Sequence, residues 1–169
     1  SHLNAHGYDV LNLALRGALG FGTDHYHAGL TDDLKAVFSD ARLAGYDDVI
    51  LVGFSLGAQI ALRFALDVKE PRLAGVVSIC GPLSMGAAQK ALDGPGMAMY
   101  RHGILGVLKH RYGRLKRNAK REGRTMMASP AALRAVRTFY DWDQAVVCPR
   151  FNFPSVERYY NAVSVADEL

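Results

Sequence analysis

Gly53-Phe54-Ser55-Leu56-Gly57 follows the largely apolar run Asp48-Val49-Ile50-Leu51-Val52 and leads into the helix-like stretch Ala58-Gln59-Ile60-Ala61-Leu62-Arg63-Phe64-Ala65-Leu66. A G-x-S-x-G pentapeptide between a strand and a helix is the pattern of a nucleophile elbow, a sharp turn that holds its central Ser in a strained backbone conformation. The residues two before and two after the Ser must lack bulk, because the turn presses them against neighbouring backbone, and Gly53 and Gly57 meet that demand. The pentapeptide alone is weak evidence, and its strand-before, helix-after context is what makes it informative. The competing reading is an ordinary strand-to-helix turn in which the Ser55 hydroxyl caps the helix.

The flanking sequence extends the pattern in both directions. Tyr8 to Leu15 reads as a strand, and Arg16-Gly17-Ala18-Leu19-Gly20-Phe21-Gly22 supplies the glycines of the loop after it. Thr31 is the expected N-cap of a helix with Asp32 and Asp33 in its first turn, an apolar face at Leu34, Val37, Phe38 and Ala41, and Gly45 as its stop. The elbow strand and its helix, to about Val68, come next, and then Leu73 to Cys80 as a third strand ended by Gly81-Pro82. Strand, helix, strand, helix, strand, with strands apolar enough to be buried on both faces, predicts an α/β fold with a parallel sheet.

From Leu83 to about Val147 the sequence predicts a mostly helical cap over that sheet, followed by a return segment, so the expected organisation is 1–82 core, 83–147 cap and 148–169 return within one domain. A chain of 169 residues that is 50% hydrophobic and 21% charged can bury a core of its own. Residues 101–124 carry nine Lys and Arg against Glu122, a local net charge of +8, while the whole chain is +4. A solvated helix face explains this most simply; an anionic membrane surface or anionic substrate is the functional alternative, and no nucleic-acid recognition module accompanies the charge. Cys80 and Cys148 are far apart with no C-x-x-C and no Cys/His cluster, so neither a disulfide scaffold nor a metal site is expected, and no cofactor is implied. No apolar run is long enough to span a bilayer, and Ser1 to His6 lacks the regions of a signal peptide, which suggests a cytoplasmic protein with some capacity for membrane association.

Loops at the carboxyl ends of parallel strands converge on functional sites, which puts Ser55 at the centre, with the Leu56 backbone N–H as an oxyanion donor. Its partners are harder to find. An acid and then a His should follow the Ser at the ends of later strands, yet the later histidines, His102 and His110, sit in the basic helical stretch. Asp141 and Asp143 come too early for the acid and read as surface or loop-fixing carboxylates. His25 and His27 lie in the loop after the first strand and, with Tyr26 between them, could line a pocket; simple packing of that loop is the plainer reading.

Taken together, several motifs resemble the YheT-type branch of the α/β-hydrolase fold, related to fatty-acid ethyl ester synthase/esterases and acylglycerol lipases. The resemblance rests on Leu15-Arg16-Gly17, on Tyr26-His27-Ala28-Gly29-Leu30-Thr31-Asp32-Asp33-Leu34, on the elbow, and on Phe139-Tyr140-Asp141-Trp142-Asp143 with Tyr159-Tyr160-Asn161-Ala162. Gly57-Ala58-Gln59 departs from the Gly-Gly-Asn usual in the family. The resemblance implies a serine carboxylic-ester hydrolase acting on a small-molecule or lipid acyl ester. It also implies earlier strands with a His-Gly oxyanion loop before residue 1, and strands bearing the triad Asp and His after residue 169. On that reading the chain is the middle part of such an enzyme, holds only the central strands, and is inactive alone. A non-catalytic module of the same fold, binding a partner or an anionic membrane, is the alternative.

Overall fold

The computed structural model describes residues 2–126 and 128–169. A short helix α1 (His2–Ala5) precedes a segment without helix or strand, after which α2 (Asp32–Phe38), β1 (Val49–Phe54), α3 (Leu56–Asp67) and β2 (Leu73–Ile79) form the strand-and-helix part. The helical part comprises α4 (Met85–Asp93), the 24-residue α5 (Ala98–Arg121), α6 (Pro130–Ala135), α7 (Phe139–Trp142), a π-helical segment Asp143–Val147, α8 (Cys148–Phe151) and α9 (Val156–Val163). Strands β1 and β2 are parallel and pair from Val49 with Leu73 to Phe54 with Ile79, joined through α3.

Three expectations need correction. Tyr8 to Leu15 forms no strand and joins no sheet, because no described strand lies beside it to accept its backbone, and Tyr8, Val10, Leu11 and Leu13 are exposed. The sheet is also covered on one face only. Val49, Leu51 and Leu73 pack with Leu34 and Phe38 of α2 and Ile60 and Phe64 of α3, whereas Ile50, Val52, Phe54, Val77 and Ile79 stand exposed. Side chains alternate along a strand, so helices on one side bury only every second residue. The helix over Leu34 also ends at Phe38 rather than continuing to Gly45. Asp40 stops it by accepting a hydrogen bond from Arg42 N–H (2.9 Å), which starts a separate short turn at Ala41–Leu43.

The larger core lies in the helical part, where Leu105, Tyr112 and Leu115 of α5 meet Val136, Trp142, Val146, Val147 and the α9 residues Val156, Tyr159, Tyr160 and Val163. The 156–168 segment then ties this core to the sheet. Gln59 of α3 donates its side-chain amide to Val163 O, Leu83 O accepts from Val165 N–H (2.9 Å), and Arg63 binds Asp67 of its own helix and Glu168 (Nη1 to Oε1, 2.6 Å). From the other side, Ala28 N–H donates to the buried Tyr159 hydroxyl (2.9 Å), and Arg16 clamps Asp33 at the start of α2 through Nε (2.7 Å) and its backbone N–H (2.7 Å). The loop carrying Tyr26 and His27 is therefore held between α2 and α9.

Much of the +8 charge on residues 101–124 is used internally. Lys109 donates to Val136 O and Lys116 to Ala128 O, both at 2.7 Å, Arg101 donates to Leu92 O and Gly94 O, and Arg114 lies over the Phe21 ring. Long cationic stems cover apolar surface while their heads reach carbonyls left over at chain turns. Arg117, Lys120 and Arg121 remain exposed near the end of α5.

Candidate active site

Ser55 joins β1 to α3 with φ 51° and ψ −123°, a backbone conformation that non-glycine residues rarely adopt and that surrounding structure must hold. Its N–H donates to Ile79 O of β2 (2.9 Å), and its carbonyl accepts from Ala58 N–H (3.0 Å), so the turn is locked to the sheet on one side and to the helix on the other. The hydroxyl makes no capping bond to α3. That disposes of the ordinary capped turn: the side chain is exposed at the carboxyl end of β1, free of the task a cap would give it.

The two flanking glycines differ. A Cβ at Gly53 would drive into Ala58 and come within 2.6 Å of Gly57 O, so only glycine fits where β1 crosses the start of α3. A Cβ at Gly57 would meet nothing within 4 Å, and its φ is not in the left-handed range. The close approach expected of both positions is present at one.

Ser55, Leu56 and Gly57 border a cavity of about 650 Å³. Its walls come from residues 13–15 and 17–19, from the His25-Tyr26-His27 loop, from α4 and α5, and from Phe139, Trp142, Asp143, Val147, Tyr159 and Tyr160. The lining is mainly apolar and aromatic with a few polar groups, the usual make-up of a small-molecule site. Leu56 supplies the first N–H of α3, which has no helical carbonyl four residues back and carries the positive end of the helix dipole, so it can serve as an oxyanion donor. Ala18 and Gly20, in the neighbouring loop, already donate to Leu15 O and Gly17 O.

No side chain among the described residues hydrogen-bonds the Ser55 hydroxyl. His102 and His110 are exposed on α5 and do not line the cavity. His25, Tyr26 and His27 do line it. His25 is ringed by Tyr112 and Phe151, and His27 by Phe151, Phe153 and Tyr159, with His27 Nδ1 accepting from Gly29 N–H (3.2 Å). Burial pushes both imidazoles down to about 4, so at neutral pH they are uncharged and weakly basic. Among the described residues neither nitrogen of His25 has a hydrogen-bond partner.

Asp141 and Asp143, two residues apart, have different fates. Asp141 fixes the start of α7 in a capping box, where Thr138 Oγ1 accepts from Asp141 N–H and Asp141 accepts from Thr138 N–H (both 3.0 Å). Asp143 is not a surface carboxylate: it opens the π-helical segment, lines the cavity, and accepts a hydrogen bond from the Tyr160 hydroxyl (2.7 Å). Burial pushes its carboxyl up to about 7, with the nearby Asp93 charge adding to the shift. Phe-Tyr-Asp-Trp-Asp carries no periodic signal for this, because the turn widens to a π-helix at Asp143 and only the tertiary path of α9 brings Tyr160 against it. Among the described residues no group of three or more His, Cys, Asp or Glu could hold a metal ion, and no helix is long and apolar enough to cross a membrane.

A parallel strand entering a helix through a strained Ser turn, above a largely apolar cavity, defines a hydrolase-type α/β protein. Residues 1–166 match the alpha/beta hydrolase family, and the chain belongs to that family. No curated protein and no solved structure matches it. Family membership supports a hydrolase-type function.

Proposed function

We propose that this protein is a serine carboxylic-ester hydrolase of the YheT-type branch, in which Ser55 is the nucleophile. The observation that carries this reading is the Ser55 conformation itself: a strained backbone at the carboxyl end of β1, with the hydroxyl unspent beside the cavity. Ser55 Oγ attacks the acyl carbonyl, the oxyanion forms near Leu56 N–H, the alcohol leaves with a proton, and water then releases the acid from the acyl-serine. The base that takes the Ser proton, the acid that orients it and the second oxyanion donor are assigned to residues outside 1–169. The two cavity histidines are too weakly basic and too enclosed by aromatic rings to serve. The apolar lining suits an acyl chain.

A fluorophosphonate probe tests this directly in the full-length protein. It should label Ser55, and Ser55→Ala should abolish labelling. An unlabelled, correctly folded full-length protein would favour the alternative, a non-catalytic module of the same fold. Exposed Arg117, Lys120 and Arg121 support a second partner for either reading, an anionic membrane surface that would bring lipid esters to the cavity.

A further inference from the structure

Among the described residues that line the cavity Asp143 carries the one carboxyl, and the chemistry proposed for Ser55 does not use it. Tyr160 Oη donates to its Oδ2 (2.7 Å), while Oδ1 has no partner among the described residues. Asp143 is part-buried, and its side chain lines the cavity. A carboxyl oxygen that lines a cavity and has no protein partner is open to a hydrogen bond from a ligand group.

We propose that Asp143 is a specificity-determining residue, whose free carboxyl oxygen hydrogen-bonds a hydroxyl on the part of the ester substrate remote from the reacting carbonyl. The proposal rests on the reading of this cavity as the substrate site. Two features favour a hydroxyl over other polar groups. A carboxyl that changes protonation near neutrality can accept in one state and donate in the other, and a hydroxyl answers both. An ammonium group would have to share the cavity with the Arg111 guanidinium, which also lines it.

The groups around Asp143 are identifiable. Tyr159 and Tyr160 face it from α9, Cys148 from the following turn, and Asp93 from α4. Asp93 is already engaged, since its oxygens accept from the Phe139 and Tyr140 N–H groups and from Gln89, and Arg101 lies 3.9 Å away. It supplies negative charge behind Asp143 and has little capacity left to bind substrate.

Binding of unreactive alcohols to the full-length protein, followed by calorimetry, tests the idea without requiring turnover. The probes are 1-octanol, 1,8-octanediol and 8-amino-1-octanol. The diol should bind roughly fivefold more tightly than octanol, the size of one net hydrogen bond. Asp143→Leu should bind the two alike. Asp143→Asn keeps an acceptor for Tyr160 and should retain the preference. The wild-type preference should grow between pH 6 and 8 as the carboxyl ionises, and in Asp143→Asn it should stay flat, a contrast that holds even if the Leu variant fails to fold. Equal binding of octanol and diol by the wild type would overturn the proposal, as would an undiminished preference in folded Asp143→Leu. Tighter binding of the amino alcohol than of the diol would reassign the site to ammonium groups. Failure of every probe to bind would overturn the cavity reading along with it, whereas loss of fluorophosphonate labelling with the diol preference intact would sink the hydrolase chemistry alone.

Discussion

The sheet region and the helical region bury their apolar residues in different ways. In the first, a small cluster around Phe38 and Phe64 covers one face of β1 and β2, and the residues alternating with it, from Ile50 to Phe54, face outward. In the second, α5 and α9 enclose a continuous core around Leu115, Val136 and Tyr159. The strained Ser55 belongs to the first region, and most of the cavity wall belongs to the second. The Ser55 conformation is thus set at a strand-to-helix turn, while its surroundings are set by packing between segments distant in sequence.

The sharpest way to break that comparison is to remove the group that defines the first region. On the proposed reading, Ser55→Ala in the full-length protein should lower hydrolysis of short p-nitrophenyl esters by about 10⁶, with unchanged far-UV circular dichroism. Retention of more than a tenth of the activity would move the chemistry to another residue. The same assay on residues 1–169 alone should read close to the uncatalysed rate, because no base reaches Ser55 among the described residues; robust turnover lost on changing His102 or His110 would reverse that assignment.

Packing changes should then separate the two regions by stability. Leu115→Ala, at a position 1% exposed, should cost about 2 to 5 kcal/mol in urea unfolding, whereas Ile50→Ala on the open sheet face should stay within about 0.5 kcal/mol. A large Ile50 effect would mean that face is covered in the whole protein. Within the elbow, Gly53→Ala should cost about 1 to 3 kcal/mol by overpacking, and Gly57→Ala about 0.5 kcal/mol or less. Equal penalties would show that Gly57 also meets a neighbour.

Smaller effects sharpen the roles of charge. Reversing Arg117, Lys120 and Arg121 to Glu should weaken vesicle binding by about 1 kcal/mol per residue that sits at the surface, measured by co-sedimentation with anionic liposomes. Unchanged binding at low salt would leave these residues as a solvated face. On pH, the raised Asp143 carboxyl binds a proton more tightly folded than unfolded, so stability falls as pH rises from the ordinary carboxylate range through about 7. Asp143→Asn should therefore gain thermal stability relative to wild type at pH 8 compared with pH 5. His25 and His27 act in the opposite direction: their lowered values give stability that is full above about 6.5 and lost as pH falls through about 4.

What could be read from the sequence was local. The strand before Ser55, the helix after it and the strand Leu73–Ile79 follow from short-range apolar pattern and turn chemistry, because each is favoured by neighbours within a few residues. The same logic overreached at Tyr8 to Leu15, where a strand-like pattern has no adjacent strand to complete it, and at Gly57, where glycine meets no close neighbour. The cavity, the neutral buried His25 and His27, and the carboxyl of Asp143 were decided by tertiary structure alone. His27 and Asp143 depend on α9 returning to set Tyr159 and Tyr160 against them, and His25 on α5 and α8 bringing Tyr112 and Phe151 around it; desolvation at such meeting points is a property of the assembled protein rather than of any stretch of its chain.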